Sequence, residues 1–190
     1  MREPSERAKA WVGTMNGHAA GDVVRAHSDS RATFEANHVV TRAERERIER
    51  ATLTPGATLA EGAGRRARPE EPDPERTCFE RDRDRIVHST AFRRLAGKTQ
   101  VVVYPTDHQR TRLTHALEVA QVGVAIARGV GVNATLAEAI GLGHDCGHGP
   151  GGHASEDAFD PYVPDGYEHG PWGADVVLAD LNLCVETLDG

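Results

Sequence analysis

Apolar residues are distributed in two ways along this chain. Up to residue 75 they are scattered among Gly, Pro, Ala, Arg and Glu, and helix breakers cluster at Thr52-Leu53-Thr54-Pro55-Gly56 and at Pro69, Pro72 and Pro74. With so little to bury, the stretch reads as polar and loosely ordered. One exception lies at 41–50, where Thr41 stands at an N-cap position and Glu44 at the capping-box position. That pairing predicts a short charged helix with few apolar residues to bury.

From Arg76 onward apolar positions recur at helical spacing. Ile86, Val87, Ala91, Phe92 and Leu95 line one side of a helix expected over 80–96 and stopped by Gly97. Gln100-Val101-Val102-Val103-Tyr104-Pro105 reads as a short extended run or buried loop, and Thr106-Asp107-His108-Gln109 as a turn. Leu113, Leu117, Ala120, Val124 and Ala127 then step by fours and threes, while Val119, Val122 and Ile126 add a second stripe. Two stripes predict a helix buried on most sides. Asn133 is placed to cap the next helix, which carries Leu136 and Ile140 beside Ala137, Ala139, Gly141 and Gly143. Small residues of that kind let helices approach closely. The stretch 147–152 must be loop, 154–159 a short helix and 173–179 another. The expected fold class is mainly α, with a polar segment over 1–75 and a helical domain over 76–190.

Composition narrows the function classes. The chain has 190 residues, 38% of them hydrophobic and 27% charged, the size of one ordinary domain. No stretch approaches the ~18 apolar residues of a membrane helix, and no apolar run follows the N-terminus as in a secretory signal. Cys78, Cys146 and Cys184 are scattered and odd in number. They predict no disulfide framework and a reducing compartment such as the cytoplasm. The net charge of −7 argues against nucleic acid as the main partner. It conceals a partition, however: basic residues outnumber acidic ones nine to four over 76–115, and no Lys or Arg follows Arg128. A basic segment folded against an acidic, His-rich one suits an anionic substrate together with a metal cation.

His115 lies inside the most apolar helix, and His144-Asp145 ends the next one, just before a glycine-rich turn. His144 follows Leu136 and Ile140 at four-residue steps and so should point inward with them. Two adjacent helices would then bring His115, His144 and Asp145 together, where a divalent cation would satisfy groups that are costly to bury. Taken singly, each reads as well as a hydrogen-bonded core histidine or a helix-end cap. The run Gly147-His148-Gly149-Pro150-Gly151-Gly152-His153-Ala154-Ser155-Glu156 tips the balance, because ordering so glycine-rich a loop is entropically expensive.

This ordered set resembles the HD-domain phosphohydrolases and, more narrowly, the deoxyguanosine triphosphate triphosphohydrolase family. The likeness is carried by Arg76-Thr77-Cys78-Phe79-Glu80-Arg81-Asp82-Arg83-Asp84-Arg85-Ile86-Val87-His88-Ser89, by Ala91-Phe92-Arg93-Arg94-Leu95, and by Lys98-Thr99-Gln100-Val101. Arg110-Thr111-Arg112-Leu113-Thr114-His115 and His144-Asp145-Cys146-Gly147-His148 continue it, with His153 and Glu156 behind them. The resemblance implies an HD helical bundle. His115, His144 and Asp145 would be metal ligands, for Mn, Mg, Fe, Co or Zn. His153 and Glu156 would be the catalytic pair, and Gln100, Arg112, His148 and His169 would line the substrate site. The implied reaction converts a deoxynucleoside triphosphate, dGTP foremost, and water to deoxynucleoside and triphosphate.

The alternatives are another HD phosphohydrolase, acting on nucleoside monophosphates or guanosine polyphosphates, and a non-catalytic nucleotide-binding module. The family's fourth metal ligand is an Asp on a later helix, for which Asp175, Asp180 and Asp189 are candidates by residue type alone. The chain is accordingly expected to be the N-terminal portion of such a protein, truncated at the C-terminus and weakly active or inactive by itself. The full-length relative would form a homo-oligomer. Arg81, Arg83 and Arg85, alternating with Asp82 and Asp84, are expected to form a solvated or intramolecular ion-pair ladder.

Overall fold

A computed structural model describes residues 5–7, 18–20, 23–25, 33–35, 39–98, 100, 109–184 and 187. The extended run and turn expected over 101–108, and Asp189, lie outside them. The chain divides into two compact units, 1–40 and 41–190. In the first, strands β1 (His18–Ala20), β2 (Val23–Arg25) and β3 (Thr33–Glu35) pair as an antiparallel meander, with Ala19 opposite Val24 and Val24 opposite Phe34. The sequence expectation contained no strands here. These elements are three residues long, too short to establish an alternation of polar and apolar positions.

The second unit begins at Thr41, not at Arg76. Helix α1 (Arg42–Thr52) is capped by Thr41, whose hydroxyl accepts from the Glu44 amide, and it buries none of its residues, as its charged pattern predicts. The segment behind it is not loosely attached. Glu49 accepts from the Ala60 amide, and Ala60 packs with Phe79 and Cys184. Arg66 reaches into the interior and pairs with Asp82, whose side chain is 0% exposed. Arg66, within a stretch read from sequence as loosely ordered, is therefore a strut. Asp82 leaves the expected ladder for the core, while Asp84 stays partly exposed between Arg76 and Arg83.

The helix expected over 80–96 is interrupted. Helix α2 (Cys78–His88) opens with a reciprocal capping box between Thr77 and Glu80. It ends at Ser89, which is extended (φ −71°, ψ 155°) and caps α3 (Thr90–Arg94) by accepting from the Phe92 amide. A serine hydroxyl that satisfies the next helix's orphan amide makes such a break cheap. Ile86, Ala91, Phe92 and Leu95 still face one core.

That core lies between α2, α4 (Arg112–Val130) and α5 (Ala134–Gly143). Thr111 and Asn133 cap α4 and α5, and Gly131 ends α4 in the left-handed conformation (φ 77°). The α4–α5 seam is built from small residues: Ala116 and Ala120 meet Ala139 and Gly141, and a methyl on Gly141 would stand 2.8 Å from the Ala120 Cα. The seam departs from one expectation. Backbone-to-backbone approach favours the Ala/Gly face, so α4 is not buried on most sides, and Val122 and Ile126 of the second stripe are 56% and 60% exposed. Beyond the loop, α6 (Ala154–Phe159) matches its expected span. The helix expected over 173–179 becomes a short α7 (His169–Trp172), a π-helical turn (Gly173–Val177) and a 3-10 turn (Ala179–Leu181). Among the described residues, no helix is long and apolar enough to cross a membrane.

Candidate metal and catalytic centre

His115 projects from α4 one turn past its N-terminus, and His144 caps the C-terminal end of α5, so the small-residue seam sets their separation. Their rings meet edge to face with centroids 5.4 Å apart. The donor atoms of His115, His144 and Asp145 all lie within 4.8 Å of one another. His144 Nδ1 stands 2.8 Å from the Gly141 carbonyl oxygen, which makes Nδ1 a protonated nitrogen, while Nε2 is turned toward Asp145 Oδ1 at 3.3 Å. Burial lowers the His115 pKa, only partly opposed by Asp145, and this favours the neutral imidazole that a metal requires. Asp145 is buried as well, which disfavours its charge. The His148 hydrogen bond and the His144 and Arg112 charges outweigh that penalty and hold its carboxyl well below the ordinary range. Two imidazoles and one ionised carboxylate converging on one point make a donor set that fits a divalent cation.

Arg112 lies on the other side of Asp145, its Nη1 3.2 Å from Oδ2. It is only 2% exposed, and its Nε has no partner among the described residues. Gly152 (φ 62°) packs its backbone onto this guanidinium, so any larger residue there would displace it. Arg112 is thus seen bracing a candidate metal ligand, not standing free in a pocket. Gln100 is half-buried.

A second group forms across the glycine-rich loop. Glu156 holds two histidines at once: Oε2 is 2.8 Å from His153 Nδ1, and Oε1 is 2.5 Å from His169 Nδ1. These bonds, His153 first, pull the Glu156 pKa down to about 2. The His153 side chain is 75% exposed, so its Nε2 edge is open to solvent. The buried His148 stacks on His169 at 3.6 Å between centroids, and its Nε2 is 3.3 Å from Asp145 Oδ1. His148 therefore links the two groups, while its Nδ1 has no partner among the described residues. His144 and His169 both line a cavity of about 430 Å³, together with Ile86, Leu178, Leu183 and Thr187. Asp175 lines it too, but Asp180 does not, and neither joins the three-residue donor group.

Two residues outside the expected site hold the loop between these groups. Tyr167 is buried and donates from its hydroxyl to the Gly147 carbonyl at 2.6 Å, and Lys98 Nζ donates to the His148 carbonyl at 2.5 Å. Burial, aided by the nearby Arg94 charge, lowers the Lys98 pKa. Tyr167 carries no local signal in the sequence, since its target is 20 residues away. Gly147 has no room for a side chain, because a methyl would land on the His169 carbonyl and the Gly173 backbone.

Residues 112–185 match the HD domain family, a span that opens at Arg112 and contains His115, His144, Asp145, His148, His153, Glu156 and His169. Over 152 residues, 76% of its length, the chain is 47% identical to a deoxyguanosinetriphosphate triphosphohydrolase-like protein of Caldanaerobacter subterraneus, covering 45% of that protein. A protein of the same name from Clostridium tetani is 45% identical over 152 residues, with 44% of it covered. One from Brucella ovis is 49% identical over 134 residues, with 33% covered. The chain thus spans less than half the length of these relatives. It therefore carries an HD domain and, over about three quarters of its own length, is similar in sequence to deoxyguanosinetriphosphate triphosphohydrolase-like proteins.

Proposed function

We propose that this chain carries the metal-holding and proton-handling groups of a metal-dependent phosphohydrolase. Its substrate would be a deoxynucleoside triphosphate, with dGTP cleaved to deoxyguanosine and triphosphate. The observation that carries the reading is the convergence of His115, His144 and Asp145 beside a separate, solvent-facing His153–Glu156 pair. When bound, a divalent cation would polarise a phosphoryl oxygen and lower the pKa of a water.

The chain's own residues account for the remaining requirements. The Gly141 carbonyl and Arg112 orient His144 and Asp145 as ligands, and Arg112 offsets the buried carboxylate charge. Glu156 holds His153 through Nδ1, so Nε2 is the atom that carries a proton to the leaving 5′-oxygen. Held on the same carboxylate, His169 lines the cavity on the other side of that pair and, with His148, faces the phosphates. Gln100 would meet the sugar. Lys98 and Arg112 add positive charge near the place where negative charge develops.

The test is a product assay with dGTP and Mn²⁺, resolving deoxyguanosine from triphosphate, beside His144→Ala. Equal amounts of the two products, lost by at least about 100-fold in the variant, support the reading. Release of orthophosphate or pyrophosphate would instead assign a different HD phosphohydrolase. Binding of dGTP that is indifferent to chelation and to His153→Ala, with no product, would assign a non-catalytic module.

A further inference from the structure

Cys78 and Cys184 are 106 positions apart in sequence, yet both belong to one small cluster. Cys78 is the first residue of α2 and half-buried, and it packs against Ala60, Phe79 and the fully buried Cys184. Cys78 Sγ donates to the carbonyl of Ala60, a member of the same cluster, at 3.5 Å. Cys184 is pinned from three sides: its amide donates to Asp82 Oδ2 at 2.7 Å, its Sγ lies 2.6 Å from the same oxygen, and Thr187 Oγ1 is 3.0 Å from Sγ. Arg66 closes the cluster through Asp82 and a backbone bridge to Cys184. Cys146 lies elsewhere, in the core beside α5.

We propose that Cys78 and Cys184 are a paired oxidation site, joined as an intramolecular disulfide by a two-electron oxidant of the peroxide class. The cross-link would tie Cys184, and with it the neighbouring Leu183 of the cavity wall, to α2.

The environments of the two thiols assign their roles. Its position as the first residue of α2 favours a thiolate at Cys78, and the neighbouring Cys184 thiol also holds its pKa below the ordinary thiol value. Cys78, burial and the Asp82 carboxylate push Cys184 in the opposite direction. Cys78, which is also the more accessible, reacts first. Its thiolate attacks a peroxide oxygen; the S–O bond forms, the O–O bond breaks, and hydroxide leaves to become water with the proton Cys78 gave up. Cys184 then passes its proton to Asp82 and its sulfur attacks that of Cys78. The S–S bond forms, the S–O bond breaks, and hydroxide leaves as a second water with the proton from Asp82. Each sulfur loses one electron and the peroxide gains two.

The experiment uses the full chain, reduced and desalted, then treated with hydrogen peroxide at a few equivalents. Remaining thiols are capped with N-ethylmaleimide in denaturant, and intact mass and tryptic peptides are measured. The expected product shows a loss of about 2 Da and a single maleimide on Cys146, with the peptides containing Cys78 and Cys184 joined. Its Tm rises by about 10 °C over the reduced chain, because the cross-link closes a long loop in the unfolded state. Cys146→Ser keeps the 2 Da loss with no maleimide added. Cys78→Ser, at the half-buried position and with its circular dichroism unchanged, abolishes it. The proposal is overturned by three maleimides on the treated chain, by added oxygen in place of the 2 Da loss, or by a cross-link through Cys146 or between two chains. None of these readouts depends on the chain turning over a nucleotide.

Discussion

Glu156 has no carboxylate oxygen to spare, since one oxygen holds His153 and the other holds His169. Its pKa of about 2 in the folded chain, against an ordinary 4.5, means that the unfolded chain binds the proton more readily. Its contribution to stability is therefore complete above pH 4.5 and is lost as pH falls toward 2. Thermal melts of the chain and of Glu156→Gln should differ most at pH 5–6 and converge near pH 2. A gap that stays constant over that range would remove the ionised bridge from the account. The sequence made the His153–Glu156 partnership legible because three residues separate the two at the start of a helix. It did not reveal the His169 half, which arrives from 13 residues further on.

At the scale of elements, the α4–α5 seam decides whether the candidate metal donors His115, His144 and Asp145 meet. A methyl at Gly141 would stand 2.8 Å from the Ala120 Cα and 3.0 Å from its amide nitrogen, both of them backbone atoms that cannot rotate away. Gly129 lies on the same helix as Ala120, and a methyl there meets nothing within 4 Å. The two substitutions should have opposite signs. Gly141→Ala should lower stability by about 1–3 kcal/mol through overpacking, despite a better helix former. Gly129→Ala should raise it by about 0.5–1 kcal/mol. Urea denaturation of both variants checks the pair, and equal effects would mean that the seam is looser than its geometry. The small residues that announce such a seam are visible in sequence. Which stripe of α4 they would claim is not, because Leu117, Val122 and Ile126 look as buriable on paper as Ala116 and Ala120.

For the whole second unit, occupancy of the His115–His144–Asp145 group should appear as stability, because a cation that binds the folded chain alone shifts the folding equilibrium. Mn²⁺ at about 100 times its dissociation constant would add about 2.7 kcal/mol, a Tm increase of about 5–10 °C for a unit of this size. Excess chelator should reverse the increase, and Asp145→Asn should abolish it. An increase of the same size in Asp145→Asn would place the cation elsewhere, for instance at the His148, His153, Glu156 and His169 group.

The sequence by itself determined the helical class and the caps at Thr41 and Asn133, and it singled out the contiguous pair His144-Asp145 beside His115. These rest on spacings of three and four residues or on motifs contiguous along the chain, which local geometry converts directly into neighbours. Tertiary structure alone decided the rest. It turned Arg66 inward onto Asp82, set Arg112 against Asp145, suspended the glycine-rich loop between Tyr167 and Lys98, and brought Cys78 to Cys184. Each of these contacts joins segments far apart along the chain. Their partners are selected by what a buried charge, carbonyl or thiol needs once water has left, and no local pattern records that need.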